Sequence, residues 1–331
     1  MTKLIRILAA AVAAIALFAV AAGCGGTSGA SGNSLSLVAY STPKEAYKGV
    51  IAAYQKTPAG KDAKFTQSFG ASGEQSRAVA SGQPADIVAF SLAPDVNKLV
   101  DKGLVDASWD KDKYGGFVTN SVVVLTVRKG NPKHIKTFDD LAKPGIQVIT
   151  PNPFTSGGAK WNIMAAYGSQ IAEGKSDQQA QDYLKAVFKN VAVQDKSGRE
   201  SLQTFLGGKG DVAITYENEA ITAQQKGEKV DYVVPDQTIL IQNPIAVTKS
   251  AKKGAKDFVA FTRSDTAQKV FAAQGYRPVK PALVDKKRFP TPPGLFKIDK
   301  FGGWSSVNTK FFDPNGVVGK IEQGLGVSTS K

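Results

Sequence analysis

The chain has 331 residues, 42% apolar and 21% charged, with one cysteine. That composition allows two packed domains of ordinary size and excludes wholesale disorder, a collagen-like repeat and an internal disulfide framework. The formal net charge is +14, but the lysines and arginines are scattered and no nucleic-acid motif appears, which fits a solvated basic surface that favours approach of a small anion.

Residues 1–23 read as a signal peptide: Lys3 and Arg6 give a positive start, Ile7 to Val20 an apolar core, and Ala21-Ala22-Gly23 a small-residue run. Cys24 follows at the cleavage position, as in a bacterial lipobox, although Ala21 stands where that pattern usually has leucine. Cys24 is therefore the expected lipid-modified first residue of the mature chain, anchoring it to the outer face of the cell membrane. Residues 24–34 read as a Gly/Ser-rich tether spanning about 16–19 Å. Removal of Lys3 and Arg6 takes two charges from +14 and leaves +12 on the mature chain. No later stretch is long and apolar enough to cross a bilayer.

Residues 35–40 predict a first strand. Thr42 with Glu45 then fits a capping box, with Pro43 at the first helical position, before apolar residues Ala46, Tyr47, Val50, Ile51 and Tyr54 at helical spacing. Residues 65–69 predict a second strand, Ser72 with Gln75 a second capping box, residues 85–90 a third strand, and a helix starts near Ala93. Strands separated by helices predict a parallel α/β sheet. Residues 121–127 form a β-branched strand long enough to pass into another domain. A short helix at 138–141 and a strand at 146–150 lead to Pro151-Asn152-Pro153-Phe154-Thr155-Ser156-Gly157-Gly158, and then to a helix expected to end near Gly168. Residues 177–189 predict a helix and 191–194 a strand. Ser197 with Glu200 gives a third capping box, 211–216 a strand, and Glu217 starts a helix. Strands at 232–235 and 243–247 follow, the second returning the chain to the first domain, with helices at 258–262 and 267–273. The Pro/Gly-rich tail, including Phe301-Gly302-Gly303-Trp304, predicts no single regular element. The expected division is 35–122 plus 247–331 as one domain and 123–246 as the other.

Little here resembles a catalytic apparatus. His134 stands alone on an Asn-Pro-Lys-His turn, no Ser/His/Asp set assembles around it, and no His/Cys cluster has metal-ligand spacing. Neither a metal nor a cofactor is expected. The acidic pairs Asp139-Asp140 and Glu217 with Glu219 fit helix starts that cap and solvate. Four turns share another chemistry: Ser41-Thr42-Pro43, Ala71-Ser72-Gly73, Thr155-Ser156-Gly157-Gly158 and Ser197-Gly198-Arg199. In a parallel sheet such turns lie at the carboxyl ends of strands, where ligands bind, and helix starts offer free N–H groups to anions. Four independent caps would show the same pattern.

Several segments together resemble the prokaryotic sulfate-binding proteins that serve ABC importers: residues 67–75, 127–132, 149–162, 210–212, 216–220, 276–278 and 301–304, the run from Thr150 to Asn162 being the most specific. The resemblance covers nearly all of the mature chain. It implies an α/β, two-domain periplasmic-binding-protein-like fold of type II with the ligand in a cleft between domains. It further implies Ser72, the Ser156 hydroxyl, the N–H groups of Gly157 and Gly158, and the N–H of Gly198 as ligand donors. Ser41 matches a ligand-lining segment, but the family usually has Asp-Pro-Thr where this chain has Ser41-Thr42-Pro43. Tyr216 replaces a tryptophan whose indole N–H reaches the ligand, Phe69 a histidine, and Gly198 an alanine. Arg199 is either a neutralising residue behind the ligand or half of a surface salt bridge. The implied protein is an extracytoplasmic, monomeric sulfate receptor, not an enzyme, that delivers its ligand to a membrane permease and binds no nucleic acid. Thiosulfate, phosphate or molybdate are alternative ligands, and ester hydrolysis an alternative of another class.

Overall fold

In the computed structural model, which describes residues 34–326, β1 (Ser34–Tyr40) sends Leu35, Leu37 and Ala39 to one face and Val38 to the other, as a period of two requires. The signal peptide, Cys24 and the tether lie, Ser34 apart, outside the described residues. α1 (Lys44–Tyr54) follows β1, then β2 (Lys64–Gly70), α2 (Ser72–Ala80), β3 (Ile87–Ala89) and α3 (Ala93–Asp101). β2 and β3 flank β1 in parallel. Ala46, Tyr47, Val50, Ile51 and Tyr54 of α1 close one face of this sheet. Val79 of α2 with Val96 and Leu99 of α3 close the other, over Val38, Val88 and Phe90.

β4 (Phe117–Arg128) carries the chain into a second half built on the same plan. β5 (Val148–Pro151), α4 (Gly157–Ala172), α5 (Asp177–Lys189), β6 (Val191–Asp195), α6 (Gly198–Leu206), β7 (Val212–Tyr216) and α7 (Glu217–Gln225) follow. Here β5 is the central strand, parallel to β6 on one side and β7 on the other. β8 (Val230–Val233) and β9 (Leu240–Val247) lead back, then α8 (Ala255–Thr262), α9 (Asp265–Ala273), β10 (Arg277–Pro278), α10 (Gly303–Val307) and α11 (Val317–Gly324). The strand order is β2-β1-β3-β9-β4-β7-β5-β6, with β8 and β10 also pairing with β4. β4 pairs antiparallel with β9 over its first part and with β7 from Val123 onward, while β9 pairs with β3 through Ile245–Val247. These two strands join the halves. The architecture is the α/β, two-domain, type II fold implied by the resemblance.

Local expectations fared unevenly. α1 has Pro43 at its cap rather than its first turn, and no side-chain cap; the Thr42 hydroxyl bonds the Tyr276 hydroxyl at 3.1 Å instead. Ser72 is the first residue of α2, so it caps nothing. Only Ser197 caps as expected, accepting from Glu200 N–H at 3.3 Å. α4 runs on past Gly168, whose bare Cα lies against the Phe296 ring; a Cβ there would stand 2.4 Å from it. α4 is buried almost all round because α5 and the C-terminal segment both cover it. Phe296, Ile298, Val307, Phe311, Phe312, Val318 and Ile321 of that segment share a core cluster with Trp161, Met164, Tyr167 and Leu184. The Pro/Gly-rich tail thus contains short regular helices, and it packs with the second half, whereas the sequence division groups it with the first. Phe154, buried in the same cluster, serves that core.

Candidate functional site

Both halves place their central strand where the chain turns in opposite directions to its two neighbours, the position at which open α/β sheets bind ligands. The carboxyl ends of β1 and β5 meet at one cavity of about 20 Å³. That is more than the roughly 10–15 Å³ a single water requires and leaves no space for a sugar or nucleotide. The first half lines it with Tyr40 at the end of β1, Ser41 and Thr42 just after it, Ser72 at the start of α2, and Ser91 after β3. The second half contributes Pro151, Ser156, Gly158 and Asn162 around the start of α4, Gly198 at the start of α6, and Ile214, Thr215, Tyr216 and Glu219 from β7 and α7.

The halves touch around this cavity. Gly73 N–H donates to Thr155 O at 3.1 Å, and the Trp161 indole Nε1–H to Ser91 O at 2.9 Å. The Ser91 and Tyr216 hydroxyls share a hydrogen bond at 2.6 Å, and Arg199 Nη2 donates to Thr42 O at 2.8 Å. The cleft is therefore closed.

Six of the seven expected ligand residues line the cavity: Ser41, Ser72, Ser156, Gly158, Gly198 and Tyr216. Gly157 sits one residue behind, where a Cβ would stand 2.7 Å from Leu92 Cδ2 and 2.9 Å from Ser91 Cβ. Its lack of a side chain lets α4 approach the first half. Gly158 faces the cavity, where a Cβ would stand 3.3 Å from Ser156 Oγ and 3.7 Å from the Tyr216 ring. As first residues of α4 and α6, Gly157, Gly158 and Gly198 have N–H groups with no intrahelical acceptor. Ser156 is buried as a residue, and its hydroxyl has no hydrogen-bond partner among the described residues. Ser72 is placed differently from its expected hydroxyl role. Its Oγ donates to Asp95 Oδ2 at 2.5 Å and accepts from Ser91 N–H at 2.9 Å, leaving the backbone N–H at the start of α2 as the group it can offer. Burial pushes the Asp95 carboxyl up, against the pull of Lys160 and Ser72. Burial likewise pushes the Tyr216 phenol well up, so it keeps its proton.

Arg199 forms no surface bridge. Its guanidinium grips Glu219 with Nε–Oε2 at 3.0 Å and Nη2–Oε1 at 2.6 Å. Burial opposes its charge, but Glu219 outweighs burial and the arginine pKa rises. Glu219 is 1% exposed and Glu217 fully buried, so the expectation of solvated caps is wrong for both. Glu217 is clasped by Arg277 at 2.6 and 2.9 Å. A buried carboxylate without a partner costs several kcal/mol, and each acid has recruited an arginine from elsewhere in the chain.

Ser91 was not foreseen. It bonds with Ser72, Tyr216, Trp161 and Asn243, tying both halves together. Its signal in the sequence is a small hydroxyl directly after a buried strand and before a helix, the same position held by the four turns. His134 is exposed, with φ +52°. Among the described residues no group of three His, Cys, Asp or Glu could hold a metal, and no helix is long and apolar enough to cross a membrane.

The pattern of the bacterial extracellular solute-binding proteins matches residues 35–277. The chain is 41% identical over 304 residues to a sulfate-binding protein of Synechococcus elongatus, covering 88% of this chain and 87% of that protein. It is 33% identical over 301 residues to a thiosulfate-binding protein of Pseudomonas aeruginosa, covering 86% and 90%. Among solved structures, the sulfate-binding protein SubI from Mycobacterium tuberculosis H37Rv superposes with a TM-score of 0.83 at 43% identity, covering 85% of this chain and 100% of that one.

Proposed function

Because the chain belongs to the bacterial extracellular solute-binding proteins, we propose that its closed cavity holds a sulfate dianion for delivery to an ABC importer. The observation that carries this reading is the lining. Its one cation–anion couple, with Arg199 just behind Glu219, is already closed. What remains for a ligand are hydroxyls and the N–H groups at the starts of α2, α4 and α6. Burying a bare dianion costs tens of kcal/mol in a continuum estimate. Hydrogen bonds to a charged group return roughly 1.5–3 kcal/mol each, and helix dipoles aimed at the ion add to them. Six or seven such donors replace a hydration shell without any unpaired positive side chain.

The same lining disfavours phosphate, which near neutral pH keeps a proton and needs an acceptor. Among the described residues Glu219 is the only carboxylate on the lining, and Arg199 already donates to both of its oxygens, so that proton would be left chiefly to the weaker hydroxyl acceptors. Thiosulfate is the second reading, favoured by the thiosulfate-binding relative, because it presents the same three oxygens.

The first half, and the second half with the C-terminal segment packed on it, close over the ion by a hinge where β4 and β9 cross. The receptor is a monomer held at the outer membrane face by a lipid on Cys24. Calorimetric titration of residues 33–331 with sulfate, thiosulfate, phosphate and molybdate ranks the ligands. Sulfate or thiosulfate should bind tightest, and the absence of heat or thermal shift with both would overturn the proposal. Mass spectrometry of membrane-extracted protein tests the lipid on Cys24.

A further inference from the structure

We propose that the face surrounding Ser34, at the end of the sheet away from the cavity, is a docking surface for anionic lipid headgroups. Ser34 opens β1 and Tyr40 ends it at the cavity, a separation of about 20 Å at 3.3 Å per residue. Beside Ser34 lies a groove of about 570 Å³ formed where β9 runs into α8. Lys249, Lys252, Lys253 and Lys256 line it against two aspartates, Asp106 and Asp257, and all four lysines are exposed. Lys252 reaches back to the first strand, its Nζ donating to Ser34 O at 2.6 Å. Among the described residues the side chains of Lys249, Lys253 and Lys256 make no ion pair or hydrogen bond. A fifth lysine, the exposed Lys64, pairs in register with Ser34.

The occupant follows from the chain that precedes this face. Ten Cα steps separate Cys24 from Ser34, a reach of at most about 36 Å even fully extended. A body of this size is roughly 50 Å across. The inference therefore rests on the lipid at Cys24: a chain so anchored keeps the Ser34 face next to the bilayer, where its lysines meet headgroup phosphates. The groove exposes no large apolar side chain, so the contact is electrostatic and weakens with salt. One acyl chain alone anchors marginally, and a basic patch is the kind of second signal that makes anchoring stable.

Residues 33–331 form a compact unit containing every core cluster, so this segment is used without the anchor. It should co-sediment at low salt with vesicles of phosphatidylcholine containing one-third phosphatidylglycerol, and not with pure phosphatidylcholine. The triple variant Lys249→Gln, Lys253→Gln, Lys256→Gln should weaken that binding about a hundredfold, at roughly fivefold per lysine. The charge-matched triple Lys185→Gln, Lys189→Gln, Lys286→Gln should weaken it less than tenfold. Sulfate titration by the first triple should match the parent, showing an intact fold. No binding to the anionic vesicles, or equal losses in the two triples, would overturn the inference. An unmodified Cys24 in the membrane-extracted chain would instead remove the anchor while leaving the vesicle result to stand.

Discussion

Gly157→Ala separates closure from ligand contact. Gly157 is off the cavity lining, and its new methyl would meet Leu92 Cδ2 at 2.7 Å, Ser91 Cβ at 2.9 Å and Ser91 Oγ at 3.0 Å. Leu92 is fully buried and Ser91 is 1% exposed, so neither moves aside cheaply. Inserting a methyl into such packing costs about 1–3 kcal/mol. If the halves separate without ligand, that cost falls on the closed form alone and weakens sulfate affinity roughly 5- to 150-fold. Calorimetry on residues 33–331 measures the loss, and thermal unfolding without ligand shows whether the free protein feels the clash. The expected outcome is weaker binding with an unchanged melting temperature. Gly198→Ala is the internal comparison, because its methyl would meet only Thr42 Cγ2, at an ordinary 3.6 Å, and should cost about twofold or less. Unchanged affinity and melting in Gly157→Ala, or a larger loss in Gly198→Ala, would refute the closure account.

Tyr216→Phe removes the phenol shared with Ser91; if that phenol donates to the ion, affinity falls at least about tenfold, and an unchanged titration would take Tyr216 out of the ligand shell. Arg199→Met strands the Glu219 carboxylate, and urea unfolding should show a loss of about 3–5 kcal/mol. Adding Glu219→Gln should recover most of it, and a double variant as unstable as the single one would contradict the pairing. Glu322 of α11 is fully buried, and burial, offset in part by Gln194, pushes its carboxyl up to about 7. With the folded pKa above the unfolded one, its contribution to stability is complete below about pH 4.5 and is lost as the pH rises through 7, a change of up to about 3 kcal/mol. Glu322→Gln should therefore raise stability by roughly 1–3 kcal/mol above pH ~8 and change little near pH ~5, as followed by chemical unfolding at both.

The sequence carried the site's backbone more clearly than its side chains. Strand alternation at Leu35-Ser36-Leu37, and small residues opening helices at Ser72, Gly157 and Gly198, are local patterns, and local patterns survive folding. Side-chain partners are chosen by the tertiary fold. Thr42 and Ser72 both sit in good capping sequences, yet their hydroxyls found Tyr276 and Asp95, neither of which a local window contains. Glu217 looked like a solvated helix start because Arg277 lies 60 residues away. Ser91 was hidden inside Phe90-Ser91-Leu92, which reads as the end of a buried strand and has no glycine to mark a turn. The tail forms no single regular element, as its prolines and glycines indicate, but burial of Phe296, Phe311 and Phe312 against α4 and α5 stabilises several short helices that no local propensity marks.

Trp161 has one more consequence. It belongs to α4 in the second half, is 1% exposed, donates its indole N–H across the cleft to Ser91 O, and meets Trp304 edge-on with ring centroids 4.6 Å apart. Parting of the halves hands that N–H to water, while the Trp304 contact, internal to the second half, is kept. The receptor thus carries its own optical reporter. Its ultraviolet emission should shift to the blue as the ion is captured, and rapid mixing would time the closure without any attached dye.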